Sequence, residues 1–299
     1  KQIAQIDPDI IIATTYYKAD VVCRLECRAK KIVESHCVKS RTGINDGIKR
    51  SKPIQLLHER ILRKSFLTIE EKCDAIVSLT DGDSKEWNTD SKRKFVIPNS
   101  IPDLPPATSP LTVKRAISAG RLTKEKAFHR IIATWLKVYR IHPGWRLDIY
   151  GEGEEKKSLL HMIERLGLEE VVKIHPFSDD LEQEFLDSSM FLMSSLYEGF
   201  GLVLIEAMSC GLPCIALNCP YGPGEIIHHD EDGILLPYFE RMSPDGHELW
   251  DMATAIHRLI INHPLRRQLG KEAKENSKRF LADKVMIKWI DLFNRLTAQ

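Results

Sequence analysis

The 299-residue chain has no CxxC pair, and its seven cysteines (Cys23, Cys27, Cys37, Cys73, Cys210, Cys214 and Cys219) are odd in number. A disulfide framework and a zinc ribbon are thereby disfavoured. Several of these thiols lie in apolar runs, where they act as small hydrophobes, and a reducing, cytosolic compartment is expected. No signal peptide is visible, and no apolar run approaches the ~20 residues that a membrane helix requires. No GxGxxG follows a strand, and "GEGEE" at 151–155 would set carboxylates where a dinucleotide pyrophosphate sits, which disfavours a dinucleotide oxidoreductase. Solenoid repeats and low-complexity tracts are absent. The net charge is only +1, which argues against a nucleic-acid partner. An initiating methionine is also missing, and "KQIAQIDPDIIIATTYY" reads as the middle of an α/β domain, with further residues expected upstream.

The length suits two domains, and hydrophobic (43%) and charged (28%) content are those of a globular protein. Residues 1–104 hold 19 Lys+Arg against 15 Asp+Glu, a modest basic excess. Strands are expected at Ile10–Ala13, Lys31–Glu34, Ala75–Leu79 and Lys94–Ile97. "PIQLLHERILRKSF" between the second and third has Ile54, Leu57, Ile61 and Leu62 at helical spacing, with Arg60, Arg63 and Lys64 off that stripe. With Lys49, Arg50 and Lys52, these cations form either a solvated face or a face for anionic lipid. "IPDLPPATSP" (101–110) reads as an interdomain linker. Strand-like runs then alternate with helical patterns: Ala116–Ser118, Arg146–Tyr150, Val171–Ile174, Met190–Met193, Pro213–Leu217 and Gly233–Leu236. The fold class is therefore α/β, with a parallel, doubly wound sheet whose ligand crevice lies at the carboxyl ends of the strands.

One stretch carries the chemistry. "SSLYEGFGLVLIEAMSCGLPCIAL" runs from Ser194 to Leu217, with Glu198 and Glu206 eight positions apart. It reads as a loop leaving a buried strand, a short helix Leu202–Ser209 and Gly211 as its C′ residue. The N–H groups near Phe200, Gly201 and Leu202 have no intrahelical partner and form an anion site suited to a diphosphate. Glu198, ahead of the helix, would accept hydrogen bonds from a sugar, and Glu206, behind its start, from a ribose. Arg121 and Lys126, just past the strand Ala116–Ser118, would neutralise the diphosphate without a metal. Against this, "TDGD" at 80–83 mimics a metal-binding DxD through Asp81 and Asp83.

Together "GRLTKEKAF", "LDIYGEGE", "SSLYEGFGLVLIEAMSCGLPCIA" and "YGPGEII" resemble family-four retaining glycosyltransferases. The resemblance is strong from Ala116 to Pro237. It implies a GT-B architecture of two Rossmann-like domains facing a cleft: 1–104 as a partial acceptor-side domain, 105–280 as the donor domain and 281–299 as a helix returning to the first. It implies Glu198 and His36 as catalytic residues. Arg121, Lys126, Phe200, Gly201 and Leu202 would bind the diphosphate, Glu206 the ribose, and Phe177 would line the nucleobase pocket. No metal and no cofactor are expected. The implied activity is retaining transfer of a hexose or N-acetylhexosamine from a nucleotide-sugar, UDP-linked, to a saccharide or lipid-linked acceptor in bacterial polysaccharide, lipopolysaccharide or glycolipid assembly. The implied location is the cytoplasm, peripheral on the inner face of the membrane. A catalytically inactive nucleotide-sugar-binding module is the alternative. Three departures stand out: Ala127 replaces a glycine, Pro176–Phe177 replaces a glycine-containing turn, and the opening strand and glycine-rich loop of the first domain are missing.

Overall fold

The structure is a computed structural model that describes residues 6–36, 39, 52–241 and 246–298. The chain divides into two compact units, one of residues 1–99 with 283–299 and one of 100–282.

The first unit is a four-stranded parallel sheet in the order β1 (Ile10–Ala13), β2 (Lys30–Ser35), β3 (Ala75–Ser78), β4 (Lys94–Val96). Helix α1 (Tyr16–Cys23), absent from the sequence expectations, follows β1. Its pattern is too short to declare itself, and it is held by burial of Tyr16, Ala19 and Val22. Helix α2 (Lys52–Lys72) is longer than expected. Of its four apolar residues at helical spacing, Ile54 (56%), Leu57 (59%) and Ile61 (50%) are exposed and only Leu62 is buried. The C-terminal half, through Leu62 and Ile69, does the packing instead. Lys49 and Arg50 lie outside the described residues. "TDGD" opens helix α3 (Asp81–Glu86), with Thr80 as N-cap. The buried Asp83 accepts from Ser35 Oγ at 2.7 Å and from the Lys39 N–H at 3.2 Å. Those contacts hold the Asp83 carboxylate within the first unit.

The second unit is a six-stranded, all-parallel sheet. Its strands are β5 (Arg115–Ala119), β6 (Arg146–Tyr150), β7 (Val172–His175), β8 (Met190–Met193), β9 (Cys214–Leu217) and β10 (Gly233–Leu236), in the order β10-β9-β8-β5-β6-β7. Runs such as "MFLM" and "CIAL" are buried at every position, as strands covered on both faces must be. The covering helices are α4 (Phe128–Ile141), α5 (Lys156–Arg165), α6 (Leu181–Leu186), α7 (Leu202–Ser209), α8 (Pro223–Ile226), α9 (His247–Ile261) and α10 (His263–Ser277). Trp135, Ile131, Leu147, Met190 and Ile215 meet in one core. Strand order reverses between β5 and β8, which makes that boundary the place for a ligand crevice. The ladder there stops at Ile117↔Phe191, two residues before either strand ends.

Residues 101–110 are not a free tether. The Ile101 N–H donates to Phe280 O and Ser109 N–H to Cys210 O, both at 2.9 Å, so the proline-rich segment is fastened to the second unit. Helix α11 (Ala282–Thr297) packs Val285, Leu292 and Leu296 against Ile32, Ala75 and Val77 of the first unit's sheet.

Candidate active site

Three loops leave the carboxyl ends of β5, β8 and β9 and converge on Glu198. The loop after β8 is zipped to the turn after β5. The Leu196 N–H donates to Glu125 O at 2.7 Å, and Ser194 Oγ donates to the Lys126 and Ala127 carbonyls at 3.1 and 3.0 Å. The loop after β9 pairs with Glu198 itself, whose N–H donates to Pro220 O at 2.8 Å and whose C=O accepts from Tyr221 N–H at 2.9 Å. Gly222 makes this approach possible, since a Cβ there would fall 1.7 Å from Phe200 O.

The result is a buried ion pair at the switch point. Lys126 Nζ lies 2.7 and 2.8 Å from the two Glu198 carboxylate oxygens, and Ser195 Oγ donates to Oε1 at 2.6 Å. The Glu198 side chain is 7% exposed and that of Lys126 19%. A buried carboxylate needs such partners, because an unpaired charge there would cost several kcal/mol. Both carboxylate oxygens of Glu198 thus accept from the one ammonium group. A small cavity, about 10 Å³, is lined by Ser118, Lys126, Ser195 and Glu198, so anything larger than a water must lie over the surface of the site.

Helix α7 starts beside this pair. Gly201 is its N-cap at φ 107°, a conformation that favours glycine, and Gly211 closes it at φ 80° as the sequence predicts. Phe200 turns its ring into the core against Phe280, 5.5 Å between centroids, leaving only its backbone for a ligand. Leu202 is 40% exposed. Glu206 is half-buried one turn in, and among the described residues no side chain holds its carboxylate. Burial alone pushes its carboxyl above the ordinary value.

Arg121 differs from expectation. Its guanidinium stands in solvent, 77% exposed and 3.6 Å from Glu125, while Lys126 takes Glu198. Its backbone, however, is fixed: Gly120 N–H donates to Tyr150 O at 2.9 Å and Leu122 N–H to Glu152 O at 2.8 Å. A Cβ on Gly151 would sit 1.9 Å from Gly120 O, so the "GEG" glycines exist to let these two loops touch. Phe177 stands 71% exposed in the loop after the edge strand β7. Two residues before it, His175 stacks on Tyr150 at 4.6 Å and bonds Asp148 at 2.9 Å. In the first unit, His36 follows β2, half-exposed, with Nε2 3.1 Å from Glu34 Oε2; that carboxylate raises its pKa above the ordinary value. Ala127 occupies the left-handed region at φ 50° as N-cap of α4, which explains why glycine suits that position.

Sequence reasoning missed Ser195, although the "SS" doublet before the motif could have pointed to it, and it singled out "YGPGEII" without its backbone pairing to Glu198. The buried network of Arg115, Asp148, Glu184 and Tyr150 had no sequence signal, because polar residues in strands ordinarily face water.

The family model of glycosyl transferases group 1 matches residues 103–276, more than half of the chain. An exopolysaccharide phosphotransferase of Streptomyces coelicolor is 35% identical over 232 residues, 76% of this chain but 24% of that protein. The amylovoran biosynthesis glycosyltransferase AmsD of Erwinia amylovora is 36% identical over 60% of this chain and 48% of its own length. The chain thus spans between a quarter and a half of these curated relatives. Among solved structures, TarM superposes with a TM-score of 0.81 at 23% identity, over 98% of this chain and 57% of TarM. HepE of Anabaena, in complex with UDP-glucose, superposes with a TM-score of 0.76 at 19% identity, over 100% of this chain and 81% of HepE. These likenesses agree with a GT-B fold, and the chain belongs to the group 1 glycosyl transferases.

Proposed function

We propose that the second unit binds a UDP-linked hexose or N-acetylhexosamine and that the protein transfers the sugar, with retention, to a saccharide or lipid-linked acceptor in bacterial polysaccharide or glycolipid assembly. The single observation that carries this reading is the Lys126–Glu198 pair at the strand switch point beside the open start of α7. Three similar proteins support the choice of donor. HepE is seen with UDP-glucose, GtfA with UDP and GlcNAc, and a Staphylococcus aureus relative, 32% identical over 58% of this chain, is a poly(ribitol-phosphate) alpha-N-acetylglucosaminyltransferase. The phosphotransferase name of the Streptomyces relative carries no phosphoryl transfer here, because the match covers 24% of that protein.

In this reading the diphosphate rests on the first N–H groups of α7 and on Lys126, with Arg121 closing from solvent. Glu206 accepts from the ribose hydroxyls, and Phe177 borders the base. The bond between the anomeric carbon and the phosphate oxygen breaks with its electron pair going to the diphosphate. The acceptor oxygen bonds to that carbon from the same face, and its proton passes to the departing phosphate. Glu198 orients the sugar and steadies the positive charge that develops on it. Cations in the site take the role of a metal, so EDTA should leave activity intact; loss in EDTA with recovery in Mn²⁺ would overturn that part.

Steady-state kinetics with UDP-sugars on the full-length protein test the division of labour. Glu206→Ala should chiefly raise the donor KM, because ribose is remote from the reacting bond. Glu198→Gln should lower kcat by roughly 10²-fold, the scale of one preorganised electrostatic contact. Equal kcat losses at both positions would refute it. Binding of UDP-sugar with no transfer and no hydrolysis would favour the inactive binding module.

Helix α2 presents Ile54, Leu57 and Ile61 beside exposed Arg60, Arg63 and Lys64, which supports peripheral attachment to an anionic, inner-face membrane. Among the described residues no helix is long and apolar enough to cross a membrane. Sedimentation with no preference for anionic over neutral liposomes at low salt would make the basic patch a solvated face.

A further inference from the structure

A second cationic site lies in the second unit, away from the strand-end crevice. Segment 108–111 and one face of α10 enclose a groove of about 560 Å³, within the range of roughly 300–1,000 Å³ usual for small-ligand pockets. Arg267, Lys271 and Lys274 project along that helix face at steps of four and three residues, about 10 Å in all, and Lys278 follows as the C-cap residue. Gly211, at the C-terminal end of α7, forms part of the wall. The groove is therefore about 12 Å, one length of α7, beyond the helix start that faces Glu198.

The wall is preformed. Lys274 Nζ donates to Pro105 O, Ala107 O and Thr108 Oγ1 at 2.9, 2.6 and 2.8 Å. The buried Arg266 grips Leu111 O through Nε and Nη2 at 3.2 and 2.8 Å. Gly211 fits under Thr108 so closely that a Cβ would lie 2.4 Å from its methyl carbon. With its protons spent on the wall, Lys274 supplies field rather than contacts. Lys278 is shared with Glu275 at 2.5 Å. Arg267 and Lys271 are exposed and have no ion-pair partner among the described residues. They lie about 6 Å apart along the helix axis, a separation that two neighbouring phosphate groups can meet.

We propose that this groove is a second ligand site, for a compact molecule bearing two phosphate groups. Arg267 would bind one phosphate through its planar fork, Lys271 the other as a point charge, and the Thr108 hydroxyl would donate from the opposite wall. A concave groove favours a compact ligand over a bilayer, which needs a flat or convex basic face. Burial that lowers the Lys274 pKa from its ordinary value agrees with a partly desolvated wall, where charge–charge contacts are strengthened.

The experiment is a residue-resolved amide NMR titration of the whole chain with inorganic pyrophosphate, repeated on the double variant Arg267→Ala/Lys271→Ala. Both side chains are exposed, so the variant should keep the wild-type melting temperature, and the shift pattern reports the site independently of activity. Saturable perturbations at Thr108, Gly211 and 267–278 are expected, with affinity falling at least about 10-fold in the variant. Perturbations confined to the Lys126–Glu198 region, or equal affinity in the variant, would overturn the proposal. So would loss of binding to phosphatidylglycerol vesicles in the variant when pyrophosphate gives no response at these residues.

Discussion

Removing the Lys126 ammonium should destabilise the second unit far more than removing both charges of its pair. In the native site Lys126 Nζ contacts both Glu198 oxygens at 2.7 and 2.8 Å, and the carboxylate is only 7% exposed. Among the described residues, Lys126→Ala leaves that charge with Ser195 Oγ as its remaining side-chain donor. Stranding one member of a buried pair typically costs about 3–5 kcal/mol. The surviving Ser195 bond, and the 19% exposure of Lys126, which lets water in once the side chain is gone, place the value near the lower end, about 3 kcal/mol. For a unit of this size that corresponds to a fall in Tm of about 6–12 °C. The double variant Lys126→Met/Glu198→Gln removes both charges while keeping volume, and should lose less than about 1 kcal/mol, since replacing a whole buried pair is often near neutral. Urea denaturation followed by tryptophan fluorescence, on the wild type, Lys126→Met, Glu198→Gln and their double variant, gives the coupling energy, with Lys126→Ala measured alongside. A value of about 2 kcal/mol or more is expected. Additive losses, or a double variant as unstable as Lys126→Ala, would refute the buried-pair account.

Glu206 tests the sign of a burial effect. Its folded pKa is raised, so its contribution to stability is fully present below the ordinary glutamate value and is lost as pH rises through the folded value. Glu206→Gln should therefore raise the melting temperature at pH 7 and change nothing near pH 3.5, even as it weakens UDP binding; a destabilised variant at pH 7 would count against this. His36 behaves oppositely to a buried histidine. Its pairing with Glu34 contributes stability below about pH 6.5 that disappears at higher pH, so His36→Gln should lower stability at pH 5.5 and leave it unchanged at pH 8.5. Ala127→Gly should stabilise the protein by about 1 kcal/mol, the cost of a side chain in the left-handed region; a lowered melting temperature would refute this.

The alternation of apolar runs and helical patterns was enough to specify the second unit. Strands Arg146–Tyr150, Met190–Met193 and Gly233–Leu236 and helices Phe128–Ile141 and Leu202–Ser209 all fall where periodicity places them. Their geometry is local, set by side-chain period and by glycines at turns. The motif around Glu198 was legible for the same reason, because a helix start with flanking glycines is a short-range feature. Tertiary structure alone decided which partner each charge takes. Lys126 and Arg121 are equivalent loop cations in sequence, yet the zipping of two loops delivers one to Glu198 and leaves the other in solvent. The outward face of Ile54, Leu57 and Ile61, the fastening of the proline-rich segment 101–110 and the burial of Arg115 beside Asp148 likewise depend on contacts between residues far apart in the chain. A periodic pattern tells which residues share a face. What that face meets is settled only when the other elements have packed.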